Sequence, residues 1–155
     1  MAESTGRGRP RLAGPMLRML QKMAMAFHST VYRASGGRVF GGFRKTRFLL
    51  LHTTGRKSGQ DRVAPLNYVV DGDAYVIIAS NGGAARHPDW FFNIEAQPDA
   101  EIEVSGRRLK VRATVVDEAE RERLWPVAVE SWGAYHSYQE KTDRTIPVVR
   151  LDPVP

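Results

Sequence analysis

Apolar positions along this chain follow two periods. Met16, Leu20, Met23, Phe27 and Val31 recur at spacings of three and four, the repeat of one helix face, and Pro15 suits a first helical turn. Gly36, Gly37, Gly41 and Gly42 stop that helix and act as a hinge before Arg44, Lys45 and Arg47. From residue 48 the pattern becomes extended. Residues 48–53 form a short apolar run that ends in a Gly-rich turn, and the runs 66–70 and 74–79 flank Asp71-Gly72-Asp73 as a hairpin. Either Asp71-Gly72 or Gly72-Asp73 can occupy that turn. A second hairpin is more sharply defined: Glu101-Ile102-Glu103-Val104 alternates, Ser105-Gly106 turns, and Leu109, Val111, Ala113 and Val115 alternate with Lys110, Arg112 and Thr114. A two-residue turn sets Glu103 opposite Arg108, Glu101 opposite Lys110 and Ile102 opposite Leu109.

Between the hairpins, residues 87–94 read as a short helix capped near Asp89, and Asp117 with Glu120 reads as a capping box for a helix that Pro126 ends or kinks. Residues 146–151 form a last strand, whose Pro147 points to a sheet edge or a strand start. Five or six antiparallel strands with few short helices and no βαβ alternation predict a mainly β (α+β) fold. The architecture expected is a small antiparallel barrel, which also removes exposed strand edges. The chain divides into a basic tail over 1–14, an amphipathic helix and Gly-rich linker over 15–47, and the barrel domain over 48–155.

Composition narrows the function classes. At 155 residues and 42% apolar content the chain can bury one core, and no apolar run approaches the roughly 20 residues that span a bilayer. The absence of cysteine excludes disulfides, thiolate catalysis and Cys-ligated metals, and is compatible with a cytosol; the four histidines show no paired metal spacing. The formal charge of +6 raises nucleic-acid binding. Its distribution argues against that: residues 1–47 hold ten Lys/Arg against one acid, whereas residues 48–155 hold thirteen against sixteen, and no strand face interleaves cations with aromatics.

Three stretches carry candidate chemistry. Thr53-Thr54-Gly55-Arg56-Lys57-Ser58-Gly59-Gln60-Asp61-Arg62 places two glycines, hydroxyls and three cations between strands. Backbone N–H groups there can nest an anion such as phosphate while the cations neutralise it; the alternative is a solvated hairpin loop. It is not a Walker A loop, and no dinucleotide-binding Gly-x-Gly-x-x-Gly occurs. In the second stretch, residues 79–93, adjacent Gly82 and Gly83 allow backbone to approach a flat ligand, Trp90 taken alone reads as core, and His87 reads as structural or exposed. The third sets Trp132, Tyr135 and Tyr138 at i, i+3 and i+6 near one helix face, either as core or as a pocket wall offering two phenolic donors. Gly55-Arg56-Lys57-Ser58-Gly59 is not the Gly-x-Ser-x-Gly nucleophile elbow, and no catalytic triad is spaced here.

Five pieces in this order resemble the deazaflavin-dependent nitroreductase family: Thr53-Thr-Gly-Arg-Lys-Ser-Gly59; Arg62 with Pro65-Leu66; Ala79-Ser80-x-Gly82-Gly83; Pro88-x-Trp90-x-x-Asn93; and Tyr138-Gln139-x-x-Thr142-x-Arg144-x-Ile146-Pro147. The likeness spans about residues 40–153. It implies a split β-barrel that binds coenzyme F-420, an 8-hydroxy-5-deazaflavin with a phospholactyl-oligoglutamate tail, with FMN as the rival cofactor because related split barrels use it. By this resemblance Arg56, Lys57, Ser58, Gly59 and Arg62 hold the phosphate and acidic tail. Thr54, Gly55, Pro65 and Leu66 join the cofactor site, and Ala79, Ser80, Asn81, Gly82, Gly83, Pro88, Trp90 and Asn93 border the ring. Tyr135 and Tyr138 match tyrosines that line the acceptor site in related enzymes, Ser80 matches a serine near the ring, and Trp132 belongs to the substrate pocket.

The chemistry so implied is hydride transfer from the reduced deazaflavin to an electron-poor hydrophobic acceptor, a quinone, enone or nitroaromatic. Trp132 stands where nitroimidazole-reducing relatives often have a third tyrosine and Asn81 where they often have lysine, which favours a quinone or enone. A non-catalytic carrier of F-420 is the alternative class; two retained tyrosines favour an enzyme. The amphipathic segment at 15–31 either caps the barrel or lies on an anionic membrane, making the expected location cytoplasmic or peripheral on the inner membrane face.

Overall fold

The computed structural model describes residues 46–155, and the tail, helix and hinge expected before them lie outside that range. Six strands and three helices follow in the order β1 (Arg47–Thr54), β2 (Asp61–Asp71), β3 (Ala74–Ile78), a 3-10 turn (Asn81–Gly83), α1 (Asp89–Ala96), β4 (Asp99–Val104), β5 (Arg107–Val115), α2 (Glu118–Ser131), α3 (Ala134–Glu140) and β6 (Val148–Pro153). The strands are antiparallel in the order β1-β2-β3-β6-β5-β4, and β4 returns to β1 to close the barrel. The expected split barrel is therefore present.

The second hairpin has the register read from the alternation: Glu103 faces Arg108, Glu101 faces Lys110 and Ile102 faces Leu109. Ser105 and Gly106 both take positive φ, 50° and 76°, the type I′ geometry whose twist matches the strands. Arg108 meets both glutamates, Nη1 lying 3.9 Å from its opposite neighbour Glu103 and Nε 2.5 Å from the diagonal Glu101, which pairs with Arg108 rather than with Lys110. In the first hairpin Asp71 pairs with Ala74, so Gly72-Asp73 is the turn. β2 extends back to Asp61, which pairs with Thr54 and leaves only 55–60 as loop. β3 meets β2 only over Tyr68–Asp71, and Pro65 lies where β2 has β1 as a ladder partner but not β3, a position that tolerates its missing N–H.

Three boundaries depart from expectation. Asp89 is the first residue of α1 and not its cap; Pro88 holds the N-cap position and Asp89 pairs with Arg86. Asp117 does cap α2, accepting the Glu120 N–H at 2.9 Å, but the Glu120 carboxylate turns to Arg123 instead of completing a box. Pro126 does not end α2, which continues to Ser131. The proline sits on the exposed side, where the carbonyl one turn back can be hydrated. Pro147 precedes β6, which is paired on both sides, so the proline marks a strand start and not an edge.

Inward side chains of the strands, among them Leu49, Leu51, Ile77, Ile102, Val111 and Leu151, fill the barrel, and Trp90, Phe91 and Ile94 of α1 join this core. A second cluster lies on the outer face of β3 and β6, where Val76, Ile78 and Val148 pack under Leu124 and Ala128 of α2 and Tyr135 of α3. Coverage on both faces explains the unbroken Val76-Ile77-Ile78 run, since each fully buried side chain of this size contributes about 1.5–3 kcal/mol.

Candidate functional site

The loop after β1 closes on itself at its base: Gly55 N–H donates to the Gln60 carbonyl at 2.8 Å and Gly59 N–H to the Gly55 carbonyl at 2.7 Å. Buried Asn93 of α1 locks it to the barrel, accepting the Arg56 backbone N–H at 3.1 Å and donating to Thr53 Oγ1 at 3.1 Å. Gln60 N–H goes to Ser58 Oγ. Among the described residues this leaves the N–H groups of Lys57 and Ser58 unclaimed at the loop tip, a nest narrower than the sequence implied. Arg62, on β2 rather than in the loop, reaches back to Ser58 Oγ at 3.3 Å, and Arg56 stacks on the Phe92 ring at 4.9 Å. Arg56, Lys57 and Arg62 have no carboxylate partner among the described residues, whereas Arg86, Arg108, Arg112, Arg123 and Arg150 are all ion-paired. This is the composition an anionic group requires.

The segment after β3 turns sharply around the 3-10 turn. Ala79 is fully buried. Ser80 holds the N-cap position of the turn, with its hydroxyl making no capping bond. Asn81 Nδ2 is engaged by the Arg86 carbonyl. Gly83 is a close-approach glycine, but toward protein: a Cβ there would lie 2.7 Å from the Tyr138 carbonyl. Gly82, with open space around its Cβ position, remains the one of the pair that can face a ligand. Phe92 links the two segments, Arg86 packing on its ring at 4.9 Å as Arg56 does.

The aromatic triplet does not share one helix face. α2 ends at Ser131, Trp132 takes an extended conformation (φ −142°, ψ 92°), and only Tyr135 and Tyr138 lie on α3, their rings 6.3 Å apart. Tyr135 is buried beside Asn67, whose Oδ1 has no hydrogen-bond partner among the described residues. Burial pushes the Tyr135 phenol up to about 12 despite the Asn67 amide facing it, so Tyr135 keeps its proton. Tyr138 is half-buried, with Lys141 Nζ 5.6 Å from its ring centre.

Residues 24–153 match the family described as F-420H(2)-dependent quinone reductase. The chain belongs to that family. It is 43% identical over 133 residues to an F-420H(2)-dependent quinone reductase of Mycobacterium tuberculosis strain H37Rv, covering 82% of this chain and 88% of the relative. Two solved structures are 40% identical: an F-420-H2-dependent reductase, FDR-A (TM-score 0.63, 68% of this chain and 93% of that one), and a chain described as a domain-swapped dimer (TM-score 0.64, 68% and 79%). The family is one of oxidoreductases.

Against this family's cofactor, an anionic tail attached to a flat ring, the residues present fit: a compact cluster of three uncompensated cations and two open N–H groups, joined through α1 to a Gly-containing turn. The remaining sequence candidates divide by burial. Trp90 lies in the barrel core, Leu66 packs against it from β2, and Pro65 faces Leu50 in the ladder. Pro88 caps α1.

Three residues have roles that the sequence does not assign. Arg144, present in the family-like motif but without a role there, grips the turn segment. His52, buried in β1, has Nδ1 3.1 Å from Asp61 and Nε2 2.7 Å from Glu103, tying the foot of the loop to β4. Asn67 faces Tyr135. Each owes its role to partners nine or more positions away, which no local pattern specifies. An open cleft of about 760 Å³ borders Thr53 and Thr54 on the β4–β5 side, but its arginines, Arg108 and Arg112, are neutralised by Glu101 and Asp99, unlike those of the loop. No helix among the described residues is long and apolar enough to cross a membrane.

Proposed function

We propose that this chain binds reduced coenzyme F-420 and transfers its hydride to a hydrophobic quinone. The observation that carries the reading is the trio Arg56, Lys57 and Arg62, brought together at one loop without a carboxylate partner among the described residues, whereas Arg86, Arg108, Arg112, Arg123 and Arg150 elsewhere on the barrel are ion-paired. When bound, the deazaflavin supplies a two-electron hydride donor. The chain's own residues do the rest. The loop N–H groups and cations take the phosphate and acidic tail; Ser80 Oγ and the backbone at Gly82 border the ring; Asn93 acts through the loop, holding Arg56 in place. Tyr138 donates a hydrogen bond to the acceptor oxygen, stabilising the charge that develops there, and Tyr135 packs behind it as a neutral phenol. Trp132, more than a third exposed, forms the outer wall.

The test is titration of the purified protein with F-420 and with FMN, followed by assay of reduced F-420 oxidation with menadione. Binding of F-420 with turnover supports the reading. Binding without turnover makes the protein a carrier, and selective FMN binding makes it an FMN-dependent split barrel. The cations of residues 1–47 support a further element, peripheral contact with an anionic membrane where lipid-soluble quinones reside. Salt-sensitive sedimentation with phosphatidylglycerol vesicles, lost on deleting residues 1–35, is expected; a full chain that ignores such vesicles at low salt overturns it.

A further inference from the structure

Arg144 lies in the irregular segment between α3 and β6, and every polar contact of its guanidinium goes to the segment after β3. Nε donates to the Ala84 carbonyl at 2.8 Å, Nη2 to the Ser80 carbonyl at 2.7 Å, and Nη1 to the Ala79 carbonyl at 3.2 Å and to His87 Nδ1 at 2.8 Å. Its own backbone is held in turn. Gln139 Nε2 donates to the Arg144 carbonyl at 2.8 Å, while Gln139 Oε1 accepts from Ile146 N–H at 2.9 Å and from Arg121 of α2 at 3.1 Å. Gln139 is the neighbour of Tyr138 on α3, and Gly83 abuts the Tyr138 carbonyl. One side chain thus spans from the helix that carries Tyr138 to the turn that carries Ser80.

We propose that Arg144 is a positioning residue that fixes the Ser80 turn relative to Tyr138, and that it does so only while His87 is neutral. The proposal rests on the reading that this turn borders the cofactor. A planar fork with donors on three nitrogens matches four acceptors at once; a lysine ammonium, a point donor on a flexible stem, satisfies fewer. The His87 contact needs a lone pair on Nδ1, so the ring proton sits on Nε2. His87 packs against Phe91 and Phe92 of α1, and the charges that face it are Arg144 and, from α1, Glu95. Burial, with the Arg144 charge second, holds the imidazole below its ordinary value, Glu95 opposing. Protonation would set an N–H against the guanidinium and open the clamp.

Hydrogen exchange on the full chain without cofactor reads the clamp directly, through the Gly83 and Ala84 amides that close the turn. Arg144→Lys should speed their exchange about tenfold or more and weaken F-420 binding by a similar factor, as expected for lost charged hydrogen bonds, while exposed Arg112→Lys changes neither. In the wild type, protection of these amides relative to those of β4 should fall as pH drops through the His87 transition; His87→Asn, which keeps an acceptor near Nδ1 but cannot titrate, should retain protection and abolish the pH dependence. Unchanged exchange at Gly83 and Ala84 in Arg144→Lys, or a general loss of protection across the barrel, overturns the proposal. If exchange responds but wild type binds no F-420, the clamp stands and the cofactor reading fails.

Discussion

The buried amide of Asn93 accepts the backbone N–H of Arg56 at 3.1 Å, so a helix residue in the core sets the conformation of a surface loop. Asn93→Ala removes that acceptor and the donor to Thr53. Losing these bonds should cost about 1–3 kcal/mol of stability, read by urea unfolding, and should weaken F-420 binding although Asn93 need not touch the cofactor. Unchanged affinity in the folded variant would separate the loop from the cofactor site.

Lys57 gives the complementary case, because it is exposed and has no described partner to lose. Lys57→Ala should leave the melting temperature unchanged and weaken F-420 binding about tenfold or more, on the basis of roughly 1.5–3 kcal/mol for a charged hydrogen bond. The deficit should shrink as salt rises, since screening weakens the wild-type contact. A salt-independent deficit would point to packing and not charge.

The two tyrosines should separate kinetically. Tyr138→Phe is expected to lower kcat for menadione at least about tenfold with the F-420 dissociation constant nearly unchanged, as for a hydrogen bond made to the acceptor during transfer. Tyr135→Phe deletes a phenol that burial keeps protonated, and should act mainly on stability through the Asn67 contact. Reversal of the two phenotypes would reassign the donor.

Acid sensitivity should be traceable to Asp71. Arg123 donates to both its oxygens, at 2.9 and 2.8 Å, and Arg150 adds a third contact at 2.5 Å. Hydrogen bonding from Arg123 is the main cause that holds this carboxyl below its ordinary value. A depressed carboxylate contributes stability that is complete above the unfolded value, near 4, and is lost as pH falls through the lower folded one. The melting temperature of Asp71→Asn should therefore lie below wild type at neutral pH and converge with it in acid; a constant gap down to about pH 2 would remove Asp71 from the acid transition.

How much of this was legible depended on the range of each interaction. Strict alternation at Glu101–Val104 specified the β4–β5 register because one face had to be buried, and a slip of one residue would have turned every side chain over. The cation-rich loop was visible because its chemistry is contiguous in sequence. Trp132 was misplaced on a common helix face because a three-residue spacing cannot reveal that α2 stops just before it. Pro126 looked like a stop signal, but its cost depends on which way the freed carbonyl faces.

Alternation, turn residues and charge order were enough to define the strands, their hairpins and an anion-seeking loop, since these are set by contacts within a few positions along the chain. Closure of β4 onto β1, the hold of Asn93 on Arg56, the pairing of His52 with Asp61 and Glu103, and the grip of Arg144 on the Ser80 turn were decided only when distant segments met. Hydrogen bonds demand ångström placement of both partners, and that placement follows from packing and not from local propensity.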